Sequence, residues 1–436
     1  MPTLPSDPRA PGAPGAIAIA LTGALCLGVL VGIGRFAFTP VLPAMLAEGG
    51  IDLAGAGTLA SLNYLGYLLG AVACSLPLRL RRGGGGRQVS GTGSELVVLT
   101  GLLATAALTA AMALPWPALW PFLRLAAGVT SAFAFVHATG WCLNQLAQRG
   151  RTAIGGLMYT GPGVGIAGSG LLAGALLGAG ASAAAAWTLF GVLALALSLL
   201  ARPTLRAKRL PGLARAEPGA RPPSTVAPAA PVDPPGPGLP SRLAQDRLRL
   251  WGLTLAYGLA GFGYIIPATF LPVIGQAWLG QAPVVDLFWP LFGLGVVLGA
   301  LVATRVRDGA DLAVALCVCH AVQAAGIALA LWSPTAVGFG GGSLLLGMPF
   351  STITFFVMRE VRRLRPQTAT RWIGLTTAVY GVGQIAGPPL AAWRVALAGD
   401  ARVGFELSMQ WALAALLVGG AIHLWLRRMH DDARHR

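Results

Sequence analysis

Residues 32–43 read GIGRFAFTPVLP and residues 261–272 read GFGYIIPATFLP; at a constant offset of 229, Gly32, Gly34, Leu42 and Pro43 fall on Gly261, Gly263, Leu271 and Pro272. The register continues into the next apolar segment, where LGYLLGA (65–71) matches LGVVLGA (294–300) at five positions of seven. A register held across two segments and their connection indicates a duplicated unit, and repeated hydrophobic helices characterise secondary transporters. The first copy places Arg35 deep inside a run long enough to cross a bilayer, and its partner in the second copy is Tyr264.

Composition sets the solvent. Of 436 residues, 55% are apolar and only 11% charged, against roughly 25% charged in water-soluble domains. So few charges cannot cover a soluble surface, and lipid must cover much of it. The five cysteines (Cys26, Cys74, Cys142, Cys317 and Cys319) lie in or beside apolar segments without zinc-ligand spacing, and read as packing residues. No metal or cofactor is expected. Thirty arginines against the single Lys208 suggest a GC-rich bacterial genome. The first apolar run exceeds the ~7–15 residues of a signal-peptide core and has a repeat partner in mid-chain, so it is expected to belong to the fold.

Segments of about 20 apolar residues, the length a ~30 Å hydrocarbon core requires, fall near 17–43, 55–78, 96–114, 116–146, 152–178 and 183–201, and resume near 250–275, 284–304, 312–331, 335–358, 372–393 and 405–426. Twelve crossings are thus predicted, and charge placement tests them. With both termini cytoplasmic, 27 of the 31 basic residues fall on inner segments, Arg394 and Arg402 outside, and Arg35 and Arg124 within the membrane. That partition follows the positive-inside rule. The net charge of +16 is therefore topological, and nucleic acid is not an expected partner.

The expected organisation is an all-α membrane protein: a cytoplasmic tail (1–16), a six-helix bundle (17–202), a disordered proline-rich cytoplasmic linker (203–248), a second six-helix bundle (249–428) and a short tail (429–436). The stretch SRLAQDRLRL (241–250) reads either as a surface helix or as part of the next crossing. The glycine-rich loop 81–95 lacks the lysine of a phosphate cradle and is read as a cytoplasmic turn. An even number of crossings per half gives the repeats one orientation, with an axis along the membrane normal.

Glycines at four-residue spacing allow helices to approach closely in lipid. They occur at Gly66 and Gly70, Gly161 and Gly165, Gly295 and Gly299, and Gly383 and Gly387, which mark the second, fifth, eighth and eleventh crossings. Two readings stay open: generic close packing, or the surfaces along which two bundles rock. Within GPGVGIAG (161–168) and YGVGQIAG (380–387), Gly163, Val164 and Gly165 fall on Gly381, Val382 and Gly383 at an offset of 218, where Gln384 takes the place of Ile166.

RLAAGVTSA (124–132) is similar to the fourth-helix R-x-x-x-G element of the major facilitator superfamily, with Arg124 and Gly128 in place. Gly161, Pro162 and Gly165 resemble part of its fifth-helix antiporter element, whereas Cys74 stands where the family expects an aspartate after the second helix. GxGRFxFTPxLP followed by NYLGYLLG resembles a poorly characterised bacterial subgroup. The resemblance covers nearly all of the chain outside its tails and linker. It implies the major facilitator fold in a bacterial inner membrane, as a monomer, with alternating access around a cavity lined mainly by the first, fourth, seventh and tenth helices.

Polar residues then suggest a site. Counting 1.5 Å per residue, Arg35, Asn63, Arg124 and Tyr264 all lie roughly 12 Å below the outer boundary. A core arginine costs about 2.5–3.5 kcal/mol on insertion scales, and all fifteen acids lie in tails, loops or helix ends. Cations without a resident counter-ion suggest an anionic solute, against the alternative that Arg35 snorkels outward and Arg124 caps carbonyls of a neighbouring helix. Tyr67 joins Asn63 and Tyr64 on the second helix, and Tyr380 and Gln384 share a face of the eleventh. His137 is the candidate proton carrier. Trp141, Trp289 and Trp372 read as interfacial. The expected function is secondary transport of a small organic solute, with proton-coupled efflux of amphipathic compounds as the alternative. A membrane-embedded enzyme or a non-transporting sensor finds little support, because no nucleophile or acid cluster stands at one depth.

Overall fold

With no water to satisfy peptide groups, a chain this apolar must close its hydrogen bonds within helices. The computed structural model describes residues 14–75, 92–207, 239–307, 310–365 and 368–434, and there it is helical almost throughout. The first apolar run divides into α1 (Ala16–Leu27), a π-helical turn (Gly28–Ile33) and α2 (Phe38–Ala47). Then follow α3 (Leu53–Ser75), α4 (Thr92–Ala111), α5 (Trp120–Ala147), α6 (Thr160–Gly178) and α7 (Ala183–Arg206). The second half holds α8 (Leu239–Leu279), α9 (Phe288–Ala303), α10 (Leu312–Trp332), the pair α11 (Ala336–Gly347) and α12 (Pro349–Leu364), α13 (Ala369–Ala398) and α14 (Ala401–Arg434). Among the described residues ten helical spans are long and apolar enough to cross a membrane, and Glu95–Ala111 is a shorter apolar helix.

Local chemistry fixes several ends. Ser182 and Asp311 accept hydrogen bonds from the first free N–H groups of α7 and α10, at 3.2 Å from Ala185 and 3.0 Å from Ala313. Glu48 adds a tertiary cap, its Oε1 accepting from Ala183 N at 2.6 Å. Pro349 opens α12 and separates it from α11. Helix occupies 203–206 and 239–248, so the expected linker is shorter at both ends, and SRLAQDRLRL is continuous with the seventh crossing. Most of the remaining linker, the glycine-rich loop up to Gly91, and the first thirteen and last two residues lie outside the described residues.

The two halves repeat one packing scheme. α3 packs on α5 as α9 packs on α11; α4 on α7 as α10 on α14; and α6 on the first helix as α13 on α8. The halves meet along α3–α13, along α6–α9, and where α2 touches α8.

The helices marked by the glycine pairs, α3, α6, α9 and α13, are thus the ones along which the halves meet, but the paired glycines themselves face their own half. A Cβ on Gly66 or Gly70 would strike backbone of Leu125 or Val129 on α5, and on Gly295 or Gly299 that of Leu344 on α11 or Met348 just after it. Gly161 and Gly165 lie against Ala24, Gly28 and Gly32, and Gly383 and Gly387 against α8. All of these contacts stay within one half. The seams between halves use other small residues: Gly163 against Gly293, Gly170 against Pro290, and Gly57 against the Pro388 carbonyl at 3.0 Å.

Candidate substrate site

The break in the first span creates the site. Pro40 has no N–H to give to the Phe36 carbonyl, and its ring crowds that turn. Upstream, Gly34 N and Phe36 N reach back five residues, to Val29 O at 2.8 Å and Val31 O at 3.1 Å, the π pattern that recurs at functional positions. Thr39 N turns to Phe36 O instead of Arg35 O, and Arg124 Nη2 donates to Arg35 O at 3.2 Å.

Arg124 is thus a strut. It is 2% exposed, its Nε donates to Leu59 O at 3.5 Å, and its guanidinium stands 4.8 Å from the Phe38 ring centroid. Asn63 belongs with it, Nδ2 donating to Arg124 O at 3.0 Å. Of the two sequence readings, carbonyl capping is the one realised for Arg124.

Arg35 faces the seam between the halves. Its Nη2 donates to Gln384 Oε1 at 2.7 Å, and Gln384 Nε2 donates to the Tyr264 hydroxyl. The guanidinium carbon lies 4.4 Å from the Tyr67 centroid, 4.8 Å from Tyr64 and 5.2 Å from Phe36, within cation–π range. Arg35 is 5% exposed, so it does not snorkel outward. Its Nε is buried with no hydrogen-bond partner, and no ion pair reaches it among the described residues.

Aromatic rings extend from this point. Tyr264, Tyr380 and Tyr257 form a column, with centroids 6.0 and 4.2 Å apart and planes within 16° of parallel. Tyr257 hydrogen-bonds Thr354 across 2.9 Å, and Tyr67 meets Phe135 at 6.3 Å. Tyr67, Phe135, Thr354 and Tyr380 are half-buried, while Tyr64, Tyr257 and Tyr264 are buried. Above Arg35 the halves are bolted together: Thr39 Oγ1 donates to Ala268 O at 3.0 Å, Tyr64 and Thr269 hydroxyls lie 3.2 Å apart, and Ser61 Oγ donates to Ile385 O at 2.7 Å. Trp289, expected at a membrane interface, is fully buried; it stacks on Phe292 at 5.0 Å and lies 6.0 Å from Phe36. Trp141 is likewise buried.

Of the sequence-predicted residues, Arg35, Tyr67, Tyr264, Tyr380 and Gln384 come together, whereas Asn63 and Arg124 form a second cluster behind the break. The immediate partners of Arg35 come from the first span, α3 and α13, with Tyr264 of α8 behind Gln384; Phe135 on α5 meets Tyr67, and on α12 Phe350 lies 5.6 Å from Phe36 and 5.3 Å from Tyr264 while Thr354 bonds Tyr257. His137 stands apart, half-buried, with Nδ1 2.8 Å from Phe133 O on its own helix. Sequence reading missed Phe36, Thr269, Tyr257 and Phe350. Tyr257 stands seven residues before Tyr264, two helical turns along one face, and that spacing could have found it.

A family model described as uncharacterised MFS-type transporter YbfB matches residues 27–424. No curated protein matches the sequence significantly. Solved structures are similar in fold. A bacterial homologue of the human lysosomal transporter Spinster, inward-facing and unoccupied, is 14% identical with a TM-score of 0.63, covering 95% of this chain and 97% of that one. A D-xylose–proton symporter gives 12% and 0.65, covering 93% and 97%. The nucleoside transporter NupG gives 12% and 0.62, covering 95% and 98%.

Proposed function

The chain belongs to the family of MFS-type transporters described by YbfB, and on that premise we propose that it carries a small organic anion across the membrane by alternating access, with Arg35 as the anion's counter-ion. A multi-pass secondary transporter, and not an enzyme, is what family membership establishes. The anion reading rests on one observation: a buried guanidinium at the seam of the two halves, with an unpartnered Nε and no carboxylate beside it. An arginine so placed has donors in a fork that suits a carboxylate. Gln384 occupies one arm in this conformation and would yield to a carboxylate, which brings an opposite charge and two oxygens matched to the fork.

The remainder of the reading follows from charge and packing. The placement of the basic residues supports twelve crossings with cytoplasmic termini; a monomer in a bacterial inner membrane completes the proposal. In that orientation the bolted end, where α2 meets α8, is the outer one. The half-buried Tyr67, Tyr380 and Thr354 then face an inward-open vestibule. A proton is the proposed coupling ion and His137 its carrier. With Nδ1–H given to the Phe133 carbonyl, Nε2 is the nitrogen left to take up a proton. Proton-coupled efflux of amphipathic compounds gains no separate support, because the fifth-helix Gly161 and Gly165 serve close packing against the first span.

The test is counterflow of labelled carboxylates in proteoliposomes. Arg35→Gln should lower apparent affinity about 10- to 100-fold, the worth of one hydrogen bond to a charged group, while leaving the protein folded. Saturable anion flux that survives Arg35→Gln unchanged overturns the anion reading.

A further inference from the structure

We infer that the solute is a planar aromatic monocarboxylate, held with its ring in the plane of the Arg35 guanidinium; this rests on the anion reading above. Three features lead there. First, among the described residues the site offers a single free cation. Arg124, the other intramembrane arginine, gives its donors to Leu59 O and Arg35 O and its face to Phe38. One net positive charge balances a monoanion, and a dianion would bring a second charge with no partner.

Second, the geometry of recognition is flat. A carboxylate paired side-on with guanidinium lies in the guanidinium plane. In an aryl carboxylate the ring is conjugated with the carboxyl group and shares that plane. The guanidinium rides over Tyr67 at 4.4 Å and Tyr64 at 4.8 Å. An attached arene therefore continues the guanidinium plane, beside rings that already accept a planar cation. A saturated ring is thicker, and its carboxylate springs from a tetrahedral carbon, so it does not share that plane.

Third, the walls are aromatic where they remain partly open. Tyr67, Phe135 and Tyr380 are half-buried, Tyr67 meeting Phe135 and Tyr380 stacking on Tyr264. Gln384 and Tyr264 already bond each other and Tyr257 bonds Thr354, which among the described residues leaves the Tyr67 hydroxyl as a donor beside Arg35. Walls that are mostly ring carbon favour an arene over a polyol.

The experiment measures binding to the purified full-length protein of benzoate, cyclohexanecarboxylate and benzamide, in wild type, Tyr67→Leu and Tyr67→Phe. The expected result is benzoate binding about tenfold tighter than cyclohexanecarboxylate, the upper range of an aromatic contact beyond its buried area, with no binding of benzamide. Tyr67→Leu should erase that ratio and Tyr67→Phe keep it; if the leucine variant fails to fold, the wild-type ratio decides. Cyclohexanecarboxylate binding as tightly as benzoate overturns the aromatic inference and leaves the anion reading standing. Benzamide matching benzoate, or silence from all three, removes both.

Discussion

Replacing Arg124 with methionine would leave the carbonyls of Leu59 and Arg35 without the donors they have now. An unsatisfied buried acceptor costs about 1–3 kcal/mol, so Arg124→Met should lower the melting temperature in detergent while reducing anion affinity less than Arg35→Gln does. Gln384→Glu is the sharper test of Arg35. It sets a permanent carboxylate where an amide oxygen now accepts at 2.7 Å, and a resident counter-ion should weaken competition by added carboxylates at least about tenfold. Both arginines were legible as buried cations from their depth in apolar runs. Their different roles were not, because depth along a helix says nothing of azimuth, and azimuth decides that Arg124 faces a broken turn and Arg35 the seam. Gln384 announced itself by breaking the symmetry of the two halves, and it does meet Arg35.

At the scale of helices, glycines separate contact from mere composition. A Cβ on Gly66 would collide with the Leu125 carbonyl, whereas one on Gly168, two turns beyond the Gly161–Pro162 element, has nothing within 4 Å. Gly66→Ala should destabilise by about 1–3 kcal/mol through overpacking. Gly168→Ala should be neutral or stabilising by up to about 1 kcal/mol, as alanine suits a helix interior better. Thermal unfolding of the two variants side by side checks the contrast, and equal effects would contradict the packing described. Small residues at four-residue intervals mark a groove but not which neighbour fills it, which is why the sequence left close packing and rocking surfaces open: the marked helices meet across the halves, while their paired glycines pack inside each half. Helix extents were easier: hydropathy located most ends to within two turns, except where α8 runs back to Leu239 and α14 runs on to Arg434 through charged stretches.

Across the whole molecule, the halves are joined by few hydrogen bonds, among them Thr39 to Ala268, Ser61 to Ile385 and Arg35 to Gln384. Alternating access requires the first of these to part. Thr39→Cys with Ala268→Cys, in a protein whose five native cysteines are replaced, should lose flux on treatment with a short thiol-reversible cross-linker and regain it on reduction. Flux unaffected by a completed cross-link would mean that this end does not open. The duplication was plain in the sequence because register survives divergence, yet the copies differ in the span that carries Arg35: the first span holds a π turn at Gly28–Ile33, and α8 runs on as a continuous helix. A π turn contains one residue more than the α turn it replaces, and one residue is about 100° of rotation. Every side chain after it is therefore dialled round by that angle, Arg35 included. Deleting a single residue between Val29 and Ile33 would leave hydropathy and charge as they are, yet swing the guanidinium away from its partner in the other half. The sign of the passageway's interior is set by a count of residues as much as by their kind.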